Sequence, residues 1–267
     1  MLKKLNEKES RCLTLLSKDS LRAFVPAVGG VVDANGAQYL EMKDLLVGFA
    51  SPAIMDVKIG TRTYSAENDD DDDDVDDDGG DDDDELPRPD LYEKMIGIDP
   101  KAPSEKEHNE RSITKLRYMD YRDSISSTKS LGFRIEAIKT LGGHSTKDFK
   151  TLKDFDAVSA EFRRFCRGGD ADLAAGFLKR LRLLRQTLDD SSFFRSHRLV
   201  GSSLLFAHDA TGNLGVWMID FCNTDPLPDG VKITHLEPFV PRQQNEDGYL
   251  IGVENILRIF EEMLTSN

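Results

Sequence analysis

The chain has 267 residues, of which 39% are hydrophobic and 31% charged, and carries a formal net charge of −14. That length fits one large domain or a domain with an insert, no apolar run reaches the roughly 18–20 residues of a membrane span, and Met1-Leu-Lys-Lys lacks an apolar signal core. The charge is local: residues 69–85 hold thirteen Asp and one Glu, and without them the other 250 residues are neutral, which leaves no global positive field for nucleic acid.

In chain order, apolar positions Leu5, Cys12, Leu13, Leu15, Leu16, Leu21 and Ala23 recur at mostly helical spacing and predict an amphipathic helix over 4–23, stopped by Pro26. Val28 to Val32 and Gln38 to Met42 flank Asp33-Ala-Asn-Gly36, a β-hairpin signal. A connector, Lys43-Asp44-Leu45-Leu46, leads to Pro52-Ala-Ile-Met-Asp-Val-Lys-Ile-Gly60. Here Ala53 to Met55 reads as a short buried strand. Asp56 and Lys58, one residue apart, fall on the same strand face. That face is either a structural ion pair or the lining of a polar cleft that holds a nucleotide and its phosphates. Gly60 marks a turn or a close backbone approach.

Residues 65–86 are low complexity, and like charges this dense predict a disordered, solvated loop. Carboxylates also suit calcium, but the run lacks the ligand and glycine spacing of an EF-hand. Asp90 to Ile96 predicts a short helix. Another begins at Ser104, which with Glu107 forms a capping box. On the next helix Lys115, Tyr118 and Arg122 share a face, and Arg88 stands just ahead of the region. Such a face either binds several phosphates through Arg forks or is an ordinary solvated face paired with Glu110 and Asp123.

Downstream, Leu131 to Lys139 alternates as a strand, while Phe155 to Cys166 and Leu173 to Leu188 read as helices with aliphatic stripes. Gly201 to Ala207 and Val216 to Phe221 read as a hairpin around Asp209-Ala-Thr-Gly212. Asp220 interrupts its second apolar run, and a buried acid needs a partner such as Mg2+ with phosphate oxygens. Ser203 on the paired strand adds a hydroxyl. Leu250 to Leu264 predicts a closing amphipathic helix. Cys12, Cys166 and Cys222 are widely spaced and odd in number, form no metal-ligand pattern, and suggest a reducing, cytoplasmic setting. An ammonium, two acids and a separate cationic face are a minimal inventory for phosphoryl transfer.

Pro52-Ala-Ile-Met-Asp-Val-Lys-Ile-Gly60 resembles the PxxxDxKxG signature of the inositol phosphate kinase family, and Gly201-Ser-Ser-Leu-Leu-Phe206 and Met218-Ile-Asp-Phe221 resemble its SSLL and IDF elements. Lys115 to Arg122, Ser126 to Glu136 and Glu246 to Leu250 are similar to the branch that acts on inositol 1,4,5-trisphosphate. The resemblance covers nearly the whole chain outside the acidic run. It implies an α+β, two-lobed fold related to protein kinases and ATP-grasp enzymes, with ATP between the lobes and a helical insert for the inositol phosphate. The implied organisation is a partial N-terminal ATP-binding lobe at 1–64, the acidic insert at 65–86, the helical insert at 87–129 and a catalytic lobe at 130–267.

Carried over residue by residue, Lys58 touches substrate and migrating phosphate, Asp56 holds the nucleotide, and Asp220 binds Mg2+ on the ATP phosphates with Ser203 nearby. Lys43, Asp44 and Leu45 match the adenine-contacting connector, and Lys3 and Lys139 match lysines on the ATP side. Arg88, Lys115, Tyr118 and Arg122 match the trisphosphate pocket. The implied reaction is phosphorylation of the 3-hydroxyl to give the 1,3,4,5-tetrakisphosphate. Animal members are regulated by calmodulin, and Asp90–Ile98 resembles a segment implicated there; a plain packed helix is the other reading. Cys222-Asn223-Thr224 departs from the family's Gly-Lys-Thr and removes a substrate-side lysine. The resemblance also places the chain's start at the family's ATP lysine, so the upper lobe is expected to be N-terminally incomplete. Two alternatives stand beside the 3-kinase: a multikinase of broader specificity, and a catalytically weak inositol-phosphate binder.

Overall fold

The computed structural model describes residues 1–64, 86–240 and 245–265, so the acidic run predicted to be disordered lies outside the described residues. The first elements are β1 (Leu2–Lys4), α1 (Glu7–Leu16), a 3-10 turn (Ser20–Ala23), β2 (Val28–Ala34), β3 (Ala37–Met42) and β4 (Ala53–Ile59). The helical insert follows as α2 (Pro89–Ile98), α3 (Glu105–Glu110), α4 (Lys115–Ile125) and α5 (Thr128–Leu131). The rest is β5 (Phe133–Lys139), β6 (Ser145–Thr146), α6 (Phe155–Phe165), α7 (Ala171–Asp190), α8 (Ser192–Ser196), β7 (His197–Leu199), β8 (Ser203–His208), β9 (Leu214–Ile219), β10 (Thr224–Pro226) and α9 (Tyr249–Thr265).

The helix predicted over 4–23 is shorter than its pattern. Lys4 pairs with Tyr39 in β1, Asn6 caps α1 by accepting from Glu9 N at 2.9 Å, and the helix stops at Leu16. Asp19 is the reason: its carboxylate accepts from Leu21 N at 3.0 Å and from Phe193 N at 3.1 Å, so local side-chain bonding replaces the helical ladder. Asn35 and Gly36 both have positive φ (52° and 78°), which supplies the two-residue turn of the predicted hairpin. With β1 this hairpin forms a three-stranded sheet in the order β1-β3-β2.

The larger sheet has the order β6-β5-β4-β8-β9, and all its pairings are antiparallel. β4 is its central strand, joined by residues 43–52 to the smaller sheet. One face is apolar: Met55, Val57, Ile59, Leu204, Phe206, Val216 and Met218 are all fully buried. It packs under α6, α7 and α9, where Phe162 meets Phe133, Phe206 and Phe260 edge-on at 5.7–6.0 Å. The other face carries Asp56, Lys58 and Ser203, as period-two alternation requires.

Past β4 the chain is clamped. Gly60 has φ +109°, and a Cβ there would come within 3.0 Å of Asp247 O. Thr61 N donates to that carbonyl at 2.8 Å. The buried Asp247 carboxylate accepts from Leu199 N, His235 Nδ1 and Tyr249 N, each at 2.9 Å, which fixes the start of α9. The helical insert has its own core of Leu91, Tyr92, Met95, Ile113, Tyr118, Met119 and Tyr121. It is tied to the sheet by a polar knot. The fully buried Asp123 carboxylate accepts from Thr63 N at 2.9 Å, Thr63 Oγ1 at 2.7 Å and Arg134 Nη1 at 2.5 Å. Leu131, predicted as the start of a strand, instead ends α5, because Gly132 at φ +70° caps that turn.

Candidate active site

Register brings the sequence-predicted groups together. Lys58 on β4 lies directly opposite Ser203 on β8, Ser203 lies opposite Ile219 on β9, and Asp220 is the next residue. Asp220 does not sit inside the strand as the sequence suggested. It follows the strand's last residue with φ +61°, a left-handed conformation that turns the chain at the sheet edge. Lys58 is buried, and Asp56 is half-buried two residues before it.

Asp56 Oδ1 is buried and has no hydrogen-bond partner among the described residues, and neither has Ser203 Oγ. Burial pushes the Asp56 carboxyl up to about 6; the nearby Ser203 hydroxyl, which falls short of hydrogen-bond geometry, and Lys58 oppose this, while Asp220 and Glu136 push the same way. Lys3 reaches across from β1: its Nζ lies 3.0 Å from Asp220 Oδ1 and 2.9 Å from Glu9 Oε2. Burial lowers the Lys3 ammonium, but Asp220 and Glu9 outweigh it and hold the group well above the ordinary lysine value.

Glu9 is a residue that the sequence reading missed. It is buried, and besides Lys3 it accepts from Phe221 N at 3.4 Å, so it braces the turn that carries Asp220. The signal was present: Glu9 falls on the apolar stripe of Leu5, Cys12, Leu13 and Leu16, and an acid there needs a partner.

The connector is arranged by its backbone. Lys43 N donates to Ala27 O at 2.8 Å, the Asp44 carboxylate accepts from Leu46 N at 2.9 Å, and Leu45 between them is half-buried. Further on, Ala50 N donates to Asp209 Oδ2 at 3.0 Å, and Phe49 packs edge-on against Trp217 at 6.2 Å, a residue of the same sheet face as Asp56. Lys139 is exposed at the far end of β5, opposite Ile54.

On the insert, Lys115 begins α4, and Arg122 lies two turns on with its Nη2 3.7 Å from Glu136 Oε1. Arg88 holds Asp90 in a fork at 2.8 and 3.0 Å. Tyr118 shares the helix with Lys115 and Arg122, but it is only 4% exposed and packs in the insert's core. Glu136 was not singled out by its sequence. It is the extra residue where β5 bulges against β4, between Ile135 opposite Val57 and Ala137 opposite Asp56. Burial raises its carboxyl, but Arg134, Lys58 and Arg122 together hold it below the usual glutamate value.

These residues fit a nucleotide with a hard cation. Among the described residues no group of three or more His, Cys, Asp or Glu forms a ready-made metal cage. Asp220 and the unpartnered Asp56 oxygen are the hard oxygen donors available, and Mg2+ is ordinarily held by one or two carboxylates plus substrate phosphates.

Comparison with known proteins identifies the family. A family model described as inositol polyphosphate kinase matches residues 39–261. The chain is 44% identical to inositol-trisphosphate 3-kinase A of Rattus norvegicus, over 98% of this chain and 55% of that protein. It is 45% identical to inositol-trisphosphate 3-kinase B of Homo sapiens, over 98% of this chain and 27% of that protein. The chain thus spans about half the length, or less, of these curated relatives. Among solved structures, inositol phosphate multikinase Ipk2 of S. cerevisiae, in complex with ADP and Mn2+, aligns with a TM-score of 0.64 at 19% identity, covering 99% of this chain and 98% of that one. That likeness carries the fold.

Proposed function

The chain belongs to the inositol polyphosphate kinase family, and on that footing we propose that it transfers the γ-phosphoryl group of ATP to the 3-hydroxyl of inositol 1,4,5-trisphosphate, giving the 1,3,4,5-tetrakisphosphate. One observation carries the proposal. A buried lysine and a buried carboxylate oxygen without a partner, both on β4, lie near the carboxylate of the turn that follows β9. The 40–45% identity to proteins named inositol-trisphosphate 3-kinase supports the choice of substrate.

In this reading Lys58 contacts the migrating phosphoryl group and the acceptor, and its fixed ammonium offsets charge that moves during transfer. Asp56 orients the nucleotide, and Ser203 donates to it or to a phosphate oxygen. Lys3 neutralises the triphosphate, steered by Glu9. Residues 43–45 meet the adenine edge, and Lys139 stands on the ATP side. Asp220 would hold Mg2+, which supplies charge neutralisation on the β- and γ-phosphates. Arg88, Lys115 and Arg122 grip the substrate phosphates, with Tyr118 stiffening the helix from behind. The residues' main work is positioning, since phosphoryl transfer asks little covalent chemistry of the protein.

Calmodulin enters only through residues 90–98. Leu91, Tyr92 and Met95 of that helix are buried against α4, which favours the packing role over a docking one. Among the described residues no helix is long and apolar enough to cross a membrane. The three free cysteines fit a reducing, cytoplasmic location.

The test is a transfer assay with labelled ATP, Mg2+ and inositol 1,4,5-trisphosphate, with chromatographic assignment of the product. Lys58→Ala should lower kcat roughly a hundred- to a thousand-fold while the protein stays folded. An unchanged rate would remove Lys58 from the reaction. A folded wild-type chain that binds trisphosphate without turnover would leave a binding protein instead.

A further inference from the structure

Glu136 is an anion in the wrong place for a site built to bind phosphates. Its side chain is 27% exposed, so it faces the open side of the sheet rather than the core. It is pinned there: Arg134 Nε donates to its Oε2 at 2.9 Å, and Arg134 is itself held by Asp123 and Thr63. Its other oxygen lies 3.7 Å from Arg122, too far for a hydrogen bond. Lys58 lies opposite Arg134 on the neighbouring strand, and its charge helps keep Glu136 ionised. One carboxylate thus sits beside the insert's arginine without a hydrogen bond to it, on the strand paired with the one that carries the sheet's lysine. The β5 bulge is what places it there, since without the extra residue Ala137 or Ile135 would take its position in the register.

We infer that Glu136 is a specificity-determining residue: fixed by Arg134 beside Lys58 and Arg122, it limits how many phosphate groups the site accepts and disfavours inositols more highly phosphorylated than the trisphosphate. This rests on the proposed function for the identity of the ligands. The physical ground is repulsion by a charge that cannot swing away. A ligand whose phosphates reach only Arg122, Lys115 and Arg88 meets Glu136 across the Arg122 guanidinium, whose charge offsets the repulsion. A further phosphate at the acceptor oxygen arrives at Lys58, and therefore beside Glu136. The same charge that discourages over-phosphorylated ligands would then help the product leave. Discrimination by a built-in repulsive element is a general route to specificity.

The experiment is calorimetric binding, which needs no turnover. Wild type and Glu136→Gln are titrated with inositol 1,4,5-trisphosphate, the 1,3,4,5-tetrakisphosphate and inositol hexakisphosphate at one salt concentration. Glu136→Gln should tighten the tetrakis- and hexakisphosphate about tenfold more than the trisphosphate, a shift of ~1.4 kcal/mol in relative affinity. Glu136→Asp, which keeps the charge, should hold the wild-type ratio to within about threefold, and serves as the second variant if Glu136→Gln melts early. An unchanged ratio in Glu136→Gln, or a loss of affinity for all three ligands alike, overturns the inference and leaves Glu136 a structural partner of Arg134. A wild-type chain that binds none of the three overturns it together with the proposed function. Binding with the expected ratios but no phosphoryl transfer sinks the kinase reading alone.

Discussion

The five-stranded sheet and the helical insert hold the two halves of the site in different ways. The sheet is backed by three helices and a cluster of interlocking phenylalanines, so Asp56, Lys58 and Ser203 stand on a surface that cannot shift without breaking the main core. The insert buries only seven apolar residues of its own. It is held to the sheet by polar bonds: the buried ion pair of Asp123 with Arg134, Thr63 just past β4, and Ser127 Oγ donating to Phe133 O at 2.7 Å. Nucleotide-side charges are therefore preset, whereas acceptor-side charges depend on a small unit whose orientation is decided by polar bonds. A substrate pocket of this kind is tuned by changing the insert and leaving the chemistry alone.

The comparison breaks most directly at Asp123. Asp123→Ala removes the fully buried partner of Arg134, leaving it Glu136 and Thr63, and should cost about 3–5 kcal/mol; chemical denaturation measures it, and trisphosphate binding should fall further than ATP binding. If both ligands weaken equally, the knot serves the whole molecule and the contrast is wrong. The two cores can be set against each other next. Phe162→Ala should cost about 3–5 kcal/mol and Met95→Ala about 2–5 kcal/mol. Hydrogen exchange should show the first loss spread over sheet and helices and the second confined to 89–125. Uniform exchange in both variants would make the insert part of the same cooperative unit.

A smaller effect tests the preset charge. Asp56 has a folded-state value of about 6, above the value of an unfolded aspartate. Its contribution to stability is therefore fully present below about pH 4 and is lost as pH rises through about 6. At pH 7.5, Asp56→Asn should stabilise the ligand-free protein by ~2–3 kcal/mol and shrink the Tm rise that ATP with Mg2+ produces. A destabilised variant would mean that Asp56 has protein partners enough without a ligand. The smallest expectation is a control: Glu110→Ala removes an exposed helix pair with Lys106 at 3.8 Å and should change stability by less than ~0.5 kcal/mol.

Much of this was legible in the chain itself. Alternation placed Asp56 and Lys58 on one face, Asn35-Gly36 announced its hairpin, Ser104 and Glu107 their capping box, and the aliphatic stripes their helices, because each signal depends on neighbours within a few residues. The charge run at 69–85 could be separated from a neutral remainder by counting alone. What the chain did not disclose are pairings between distant residues: β1 with β3, Glu9 beneath Lys3 and the Asp220 turn, Asp123 with Arg134, and the bulge that exposes Glu136. Those are set by the register of strands far apart in sequence and by which buried acid finds which buried base. A linear pattern carries the period of an element but not its partner, so tertiary packing alone decided them.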